Sequence, residues 1–191
     1  SVKPERWERQ PSIGLEVADL DSAELERTVK DAQRSGRFIL VNPDQSWSVL
    51  ERLSLVSSGQ LTHAADVLFA RAPGRRHPQV RVRATCFDED KDSATFSDDK
   101  VLDGPLVTVL EDLERFVVRN TRTSVVFEGK LRTSDQPEYP VDAVREGLVN
   151  AFAHREYEGF SGGLAVRVYP SRLEIWNSGR LPGGLKQADL K

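Results

Sequence analysis

Methionine is missing from these 191 residues, cysteine occurs once, and aromatic residues make up only 7% of the chain. A single thiol excludes an internal disulfide framework and suits a reducing compartment. Cys86 lies in the strand-like run Gln79-Val80-Arg81-Val82-Arg83-Ala84-Thr85-Cys86-Phe87, the setting of a packed side chain rather than of a nucleophile. No apolar run approaches the ~20 residues that cross a bilayer and no signal peptide is visible, so a cytoplasmic protein without membrane contact is expected. There is no basic excess either: 27 Lys and Arg against 30 Asp and Glu leave a net charge of −3, so any grip on nucleic acid must be local. With no methionine, Ser1 is expected to be a cut end leading back to a missing upstream domain. No internal repeat or low-complexity tract is present.

What the chain does have is the composition of a globular protein, 38% hydrophobic and 30% charged, at a length that can bury a substantial core. It divides into three stretches. Residues 1–20 read as a polar linker or arm with an isolated Trp7. Residues 21–72 read as a small helical, winged-helix-like module. A helix is predicted from the N-cap Asp21, with Glu24 three residues on, to Ser35 and the terminator Gly36. A second follows over 46–53, and a third runs through Ala64, Ala65, Val67, Leu68 and Phe69 after the turn at Gly59-Gln60-Leu61-Thr62. His63 reads as a cap or core-edge residue, because no cysteine or second histidine stands at metal spacing.

Residues 73–191 are expected to form an α/β sandwich with helices on one face of a sheet. Arg71, Arg75, Arg76, Arg81 and Arg83 form a basic cluster that can meet phosphate, or simply solvate a loop and one face of a strand. The acidic run Asp88-Glu89-Asp90-Lys91-Asp92 with Asp98-Asp99 lacks the glycine and terminal glutamate of a calcium loop and reads as an exposed loop. A long helix is predicted over 104–120, with Leu106, Val109, Leu110, Leu113, Phe116 and Val117 inward, then a strand over 124–128 and a loop over 133–140.

The motif that carries most chemistry comes next. Tyr139-Pro140 starts a helix, and Val141, Val144, Leu148 and Phe152 recur at the spacing of a buried stripe. Glu146, Asn150 and His154 then fall on one polar row away from it. A carboxylate and an amide one turn apart suit phosphate chemistry, Glu146 polarising a water and Asn150 offering an oxygen to Mg²⁺; the same row also serves as an ordinary solvated face. Downstream, the alternating runs 164–169 and 172–176 read as a hairpin. The turn Asn177-Ser178-Gly179-Arg180-Leu181-Pro182-Gly183-Gly184 leaves its second strand, with an amide at the strand end and glycines that allow close backbone approach, as a ligand site or only a turn.

Together, Ala143 to Tyr157 and Leu173 to Leu185 resemble the divergent GHKL-type (Bergerat-fold) ATPase segment of bacterial transcriptional regulators that pair it with a Schlafen-like (AlbA-type) DNA-binding domain. Trp7 to Pro11, Gly59 to Ala70 and Phe127-Glu128-Gly129 sit where similar phrases occur in that family, so the resemblance covers nearly the whole chain. It implies Glu146 as the water-activating carboxylate, Asn150 as the Mg²⁺ ligand, and His154, Asn177, Gly179, Gly183 and Gly184 around ATP. The family's Asp-x-Gly-x-Gly motif is altered: Asn177 stands for the aspartate and Leu181 for the second glycine. The chain also stops at Lys191, before the second glycine box and lid, so weak ATPase activity is expected of a complete protein and none of this fragment. The resemblance further implies DNA contact through domains outside this chain and allows a homodimer. Two alternatives stand beside it: a degenerate scaffold or dimerisation domain, and a direct nucleic-acid module using the arginine cluster.

Overall fold

In the computed structural model the chain is a mixed α+β protein, described over residues 6–36, 46–91, 95–127, 133–159 and 163–179. It forms two compact units, one of residues 1–80 with 103–109 and the other of 81–102 with 110–191. The division falls at 80/81, and a short return segment rejoins the first unit: the Asp103 carboxylate accepts the Gly74 N–H at 2.9 Å.

Among the described residues the first unit is built on three α-helices. Helix α1, Ser22–Arg34, starts where expected, with the Asp21 side chain accepting the Glu24 N–H at 3.0 Å, and the chain leaves it through Gly36 at φ 65°. Helix α2 spans Ser46–Arg52 and α3 His63–Phe69, the latter capped by Thr62. Between α2 and α3, β1 (Val56–Ser57) and β2 (Gln60–Leu61) pair across Ser58 and Gly59. Both turn residues have positive φ, as the tight turn that matches strand twist demands. Leu15, Leu20, Leu25, Val29, Val49, Leu50, Leu61, Ala65 and Phe69 share one core. Two of these belong to the segment expected to be an arm. Residues 6–20 are thus part of the unit, stitched on by Ser12 N–H to the Leu61 carbonyl (2.8 Å) and Asp21 N–H to the Phe69 carbonyl (2.7 Å). Burial of Leu15 and Leu20 is the physical reason.

The second unit carries a four-stranded mixed sheet in the order β4-β3-β7-β8. Strand β3 is Val82–Phe87, β4 Phe96–Leu102, β7 Leu164–Val168 and β8 Leu173–Asn177; β3 and β7 run parallel and the other pairs antiparallel. The register sets Val82, Ala84 and Cys86 beside Leu164, Val166 and Val168, an apolar stripe that is buried throughout. Helix α4 is Leu106–Asn120, and its part from Leu110 onward, which belongs to this unit, contributes Leu113, Phe116 and Val117 to the buried set; its C-terminal end is tied to β4 where Asn120 Nδ2 donates to Asp98 at 2.9 Å. Helix α5, Val141–Ala153, buries Val144, Leu148, Ala151 and Phe152 and lies on β8, close enough that a Cβ on Gly147 would meet Ile175 Cδ1 at 3.1 Å. Asp98 and Ile175 project to the same side of the sheet as Cys86 and Val168, so both helices cover one face.

Three expectations change. Asp98 and Asp99 are strand residues of β4, not loop. Residues 133–137 are a strand, β6 (Thr133–Pro137), antiparallel to β5 (Thr123–Phe127), not part of a loop. Val141, placed in the buried stripe of α5 by its spacing, is 44% exposed at the helix start.

Candidate functional site

Helix α5 places Glu146 and Asn150 one turn apart, both exposed, as the spacing predicts. His154 leaves the row: it is the helix C-cap, with φ −103° and ψ 7°, and its N–H donates to the Asn150 carbonyl at 3.0 Å. Asn177 and Gly179 come to this end of the helix from β8. A Cβ on Gly179 would lie 1.9 Å from the His154 carbonyl oxygen, so only glycine lets the turn approach the helix terminus this closely. Ser178 Oγ adds a bond to the Glu156 carbonyl at 3.3 Å. The Asn177 side-chain oxygen accepts the Gly179 N–H at 2.7 Å. The backbone group can only donate, and this fixes which way the amide faces. Two segments some twenty residues apart in sequence, singled out for different reasons, thus meet. Leu181, Gly183 and Gly184 lie outside the described residues.

Beyond His154, Arg155 is buried against Tyr157, its guanidinium 5.3 Å from the ring centroid, and Tyr157 Oη donates to the Phe152 carbonyl at 2.9 Å. Burial lowers the Arg155 pKa and raises that of Tyr157. A surface groove along α4 reaches α5 at Val141 and Arg145, a turn short of Asn150. Among the described residues no cluster of three His, Cys, Asp or Glu side chains is placed to hold a metal.

The arginine cluster is largely engaged within the protein. Arg76 clamps Asp66 with Nε at 2.6 Å and Nη2 at 3.0 Å, and Arg71 donates to the carbonyls of Ala18 and Leu20. In the other unit Arg83 makes a two-pronged bond to Asp99, whose carboxylate is held below the usual range mainly by that bond. Arg75 and Arg81 are exposed. Arg71, Arg75 and Arg76 belong to one unit and Arg81 and Arg83 to the other.

Sequence reasoning overlooked a buried network around Asp66, which has 0% exposure. Besides Arg76, its Oδ2 accepts from Ser12 Oγ at 2.7 Å and faces His77 Nε2 at 3.3 Å. Burial pushes the carboxyl pKa up, but the bonds from His77, Arg76 and Ser12 and the Arg76 charge outweigh it and bring it down to about 2. Ser, His and Asp in contact suggest a nucleophile, yet the relay is wrong. The serine and the aspartate address the same imidazole nitrogen, and the serine, 4% exposed, donates to the carboxylate itself. The network is structural. One signal was readable: a carboxylate inside the apolar run Ala64-Ala65-Asp66-Val67-Leu68-Phe69 needs a buried cation.

No family model matches the chain, and no curated protein matches it. Among solved structures it is similar to the DIP2311 protein from Corynebacterium diphtheriae, at 18% identity and a TM-score of 0.71 over 97% of this chain. The chain spans 36% of that protein's length. The similarity establishes a shared fold. No described helix is long and apolar enough to cross a membrane.

Proposed function

We propose that the second unit is a GHKL-like nucleotide-binding module of a transcriptional regulator, with ATP and Mg²⁺ bound where the end of α5 meets the turn after β8. The observation that carries this reading is the contact of Gly179 with the His154 carbonyl, which sets Asn177 and its glycine turn against the terminus of the helix bearing Glu146 and Asn150. In this reading Asn150 holds the cation, Glu146 polarises the attacking water, and Asn177 meets the base. The Asn177 oxygen has a second lone pair beyond the one given to Gly179, so it can still accept a donor. Magnesium supplies charge neutralisation at the phosphates. DNA contact then belongs to domains beyond this chain, and nucleotide occupancy changes how they are held. A shared homodimer is part of the same proposal.

The second reading, a scaffold that keeps the architecture without nucleotide, is favoured by Asn177 serving its own backbone. Calorimetric titration of the protein with a non-hydrolysable ATP analogue and Mg²⁺ separates the two. Saturable binding supports the module; silence leaves the scaffold. Direct nucleic-acid binding through the arginine cluster is disfavoured by the engagement of Arg71, Arg76 and Arg83.

A further inference from the structure

Residues 6–12 are held to the first unit by aromatic and ionisable groups that the nucleotide reading leaves unused. The Trp7 indole packs on two imidazoles at once, 4.4 Å between centroids to His63 and 5.0 Å to His77, and these rings are 4.6 Å from each other. Backbone ties run alongside. The His63 N–H donates to the Gln10 carbonyl at 2.9 Å, and Pro11 bridges to Thr62.

The hydrogen bond between His63 Nδ1 and the Trp7 carbonyl, at 3.0 Å, settles the tautomer, because a carbonyl only accepts. Nδ1 carries the proton of the neutral ring, and acidification must add its proton at Nε2. The titratable groups acting on that ring are His77, from the segment after residues 73–75 and 4.6 Å away between ring centroids, and Asp66 on α3 itself; Asp66 is in turn paired with Arg76, which stands 3.7 Å from Asp19. Asp66 is already shared by Arg76, His77 and Ser12. A cation on His63 would thus sit in a partly buried position against a second imidazole, while the Asp66 carboxylate that could balance it is already engaged.

We propose that residues 6–12 are a proton-sensitive strap, clamped on α3 through Trp7 while His63 is neutral and released when His63 becomes charged. The direction follows from the docked environment. Burial, then repulsion by His77, lower the His63 pKa, and the Trp7 carbonyl and Asp66 offset only part of this. A released strap frees His63 to bind its proton at the ordinary histidine value. Docking is therefore at full strength above that value and is lost as pH falls through the lowered one.

The test uses the full chain carrying Trp47→Phe and Trp176→Phe, both partly exposed positions, so that Trp7 is the sole indole. Acrylamide quenching of Trp7 is followed from about pH 8 to about pH 5 beside far-UV circular dichroism, with the histidine ring protons read by NMR. The expected result is a several-fold rise in quenching that tracks the His63 resonance while the dichroism holds steady. His63→Gln, which keeps a donor for the Trp7 carbonyl but cannot take up a proton in this range, should flatten the transition. Constant quenching with the fold intact overturns the strap. So does a transition that coincides with loss of dichroism, follows His77 instead, or persists in His63→Gln.

Discussion

A carboxylate with no exposed surface, Asp66, sits inside the apolar face of α3 and is tolerated because two donors from Arg76, one from Ser12 and the His77 ring surround it. Removing its charge takes the two-pronged carboxylate from the Arg76 guanidinium and leaves it only Asp19 at 3.7 Å, so Asp66→Asn should lower the unfolding free energy by about 3 kcal/mol in urea titrations. A loss within experimental error would mean that water already satisfies Arg76. The pH dependence carries the same signature with a definite sign. A folded pKa of about 2 against an ordinary 3.8 means the carboxylate stabilises the native state above about pH 4, by about 2 kcal/mol, and ceases to as pH falls towards 2. That acid limb should be shallower in Asp66→Asn. Gly179 poses a different residue-scale problem. Here the obstacle to alanine is a backbone carbonyl rather than a movable side chain. Gly179→Ala should cost about 1–3 kcal/mol and shift the amide resonances of His154 and Asn177 together; an unperturbed spectrum would mean that the turn and helix end are not in contact. Asp66 was not singled out in the sequence because Ser12 is distant along the chain, and no periodicity joins the aspartate to Arg76 and His77.

The elements that could be read in advance are those whose apolar residues recur at a regular interval. Helix α1 with its Asp21 cap, α4 with Val109, Leu113, Phe116 and Val117, α5 with Leu148 and Phe152, and the β7–β8 hairpin all have that property. Strand β4 does not. Its sequence Phe96-Ser97-Asp98-Asp99-Lys100-Val101-Leu102 puts two carboxylates at its centre, and it survives as an edge strand because each is answered: Asp99 by Arg83 and Thr85 from β3, Asp98 by Arg119 and Asn120 from α4. Those partners make opposite-sign contacts that polarity alone cannot reveal. Asp98 is the stronger test, since it joins two elements where Asp99 joins neighbouring strands. Asp98→Ala should destabilise by about 1 kcal/mol and raise amide hydrogen exchange selectively in the last turn of α4. Exchange unchanged at Arg119 and Asn120 would show that this tie does not hold the helix end. Strand β6 was hidden for the same reason, its Thr133-Ser134-Asp135-Gln136-Pro137 having no apolar alternation and gaining its identity only from pairing with β5.

For the molecule as a whole, an 18% identical structure keeps the fold over 97% of the chain, which says that burial pattern and register, rather than particular residues, hold this architecture. A function riding on it must then be sought in residues that the fold does not need. Glu146 and Asn150 meet that condition. Both are exposed on α5, outside the buried set of Val144, Leu148, Ala151 and Phe152, so the fold gains little from either. Glu146→Ala with Asn150→Ala should leave the melting temperature of the nucleotide-free protein nearly where it was. The same pair should abolish the upward shift produced by an ATP analogue with Mg²⁺, which at a hundredfold excess over the dissociation constant corresponds to ~2.7 kcal/mol of added stability. A shift that survives the double substitution would move any nucleotide away from α5. If even the unsubstituted protein shows no shift, the polar row is a solvated helix face, and the contact between Gly179 and His154 is retained for packing alone.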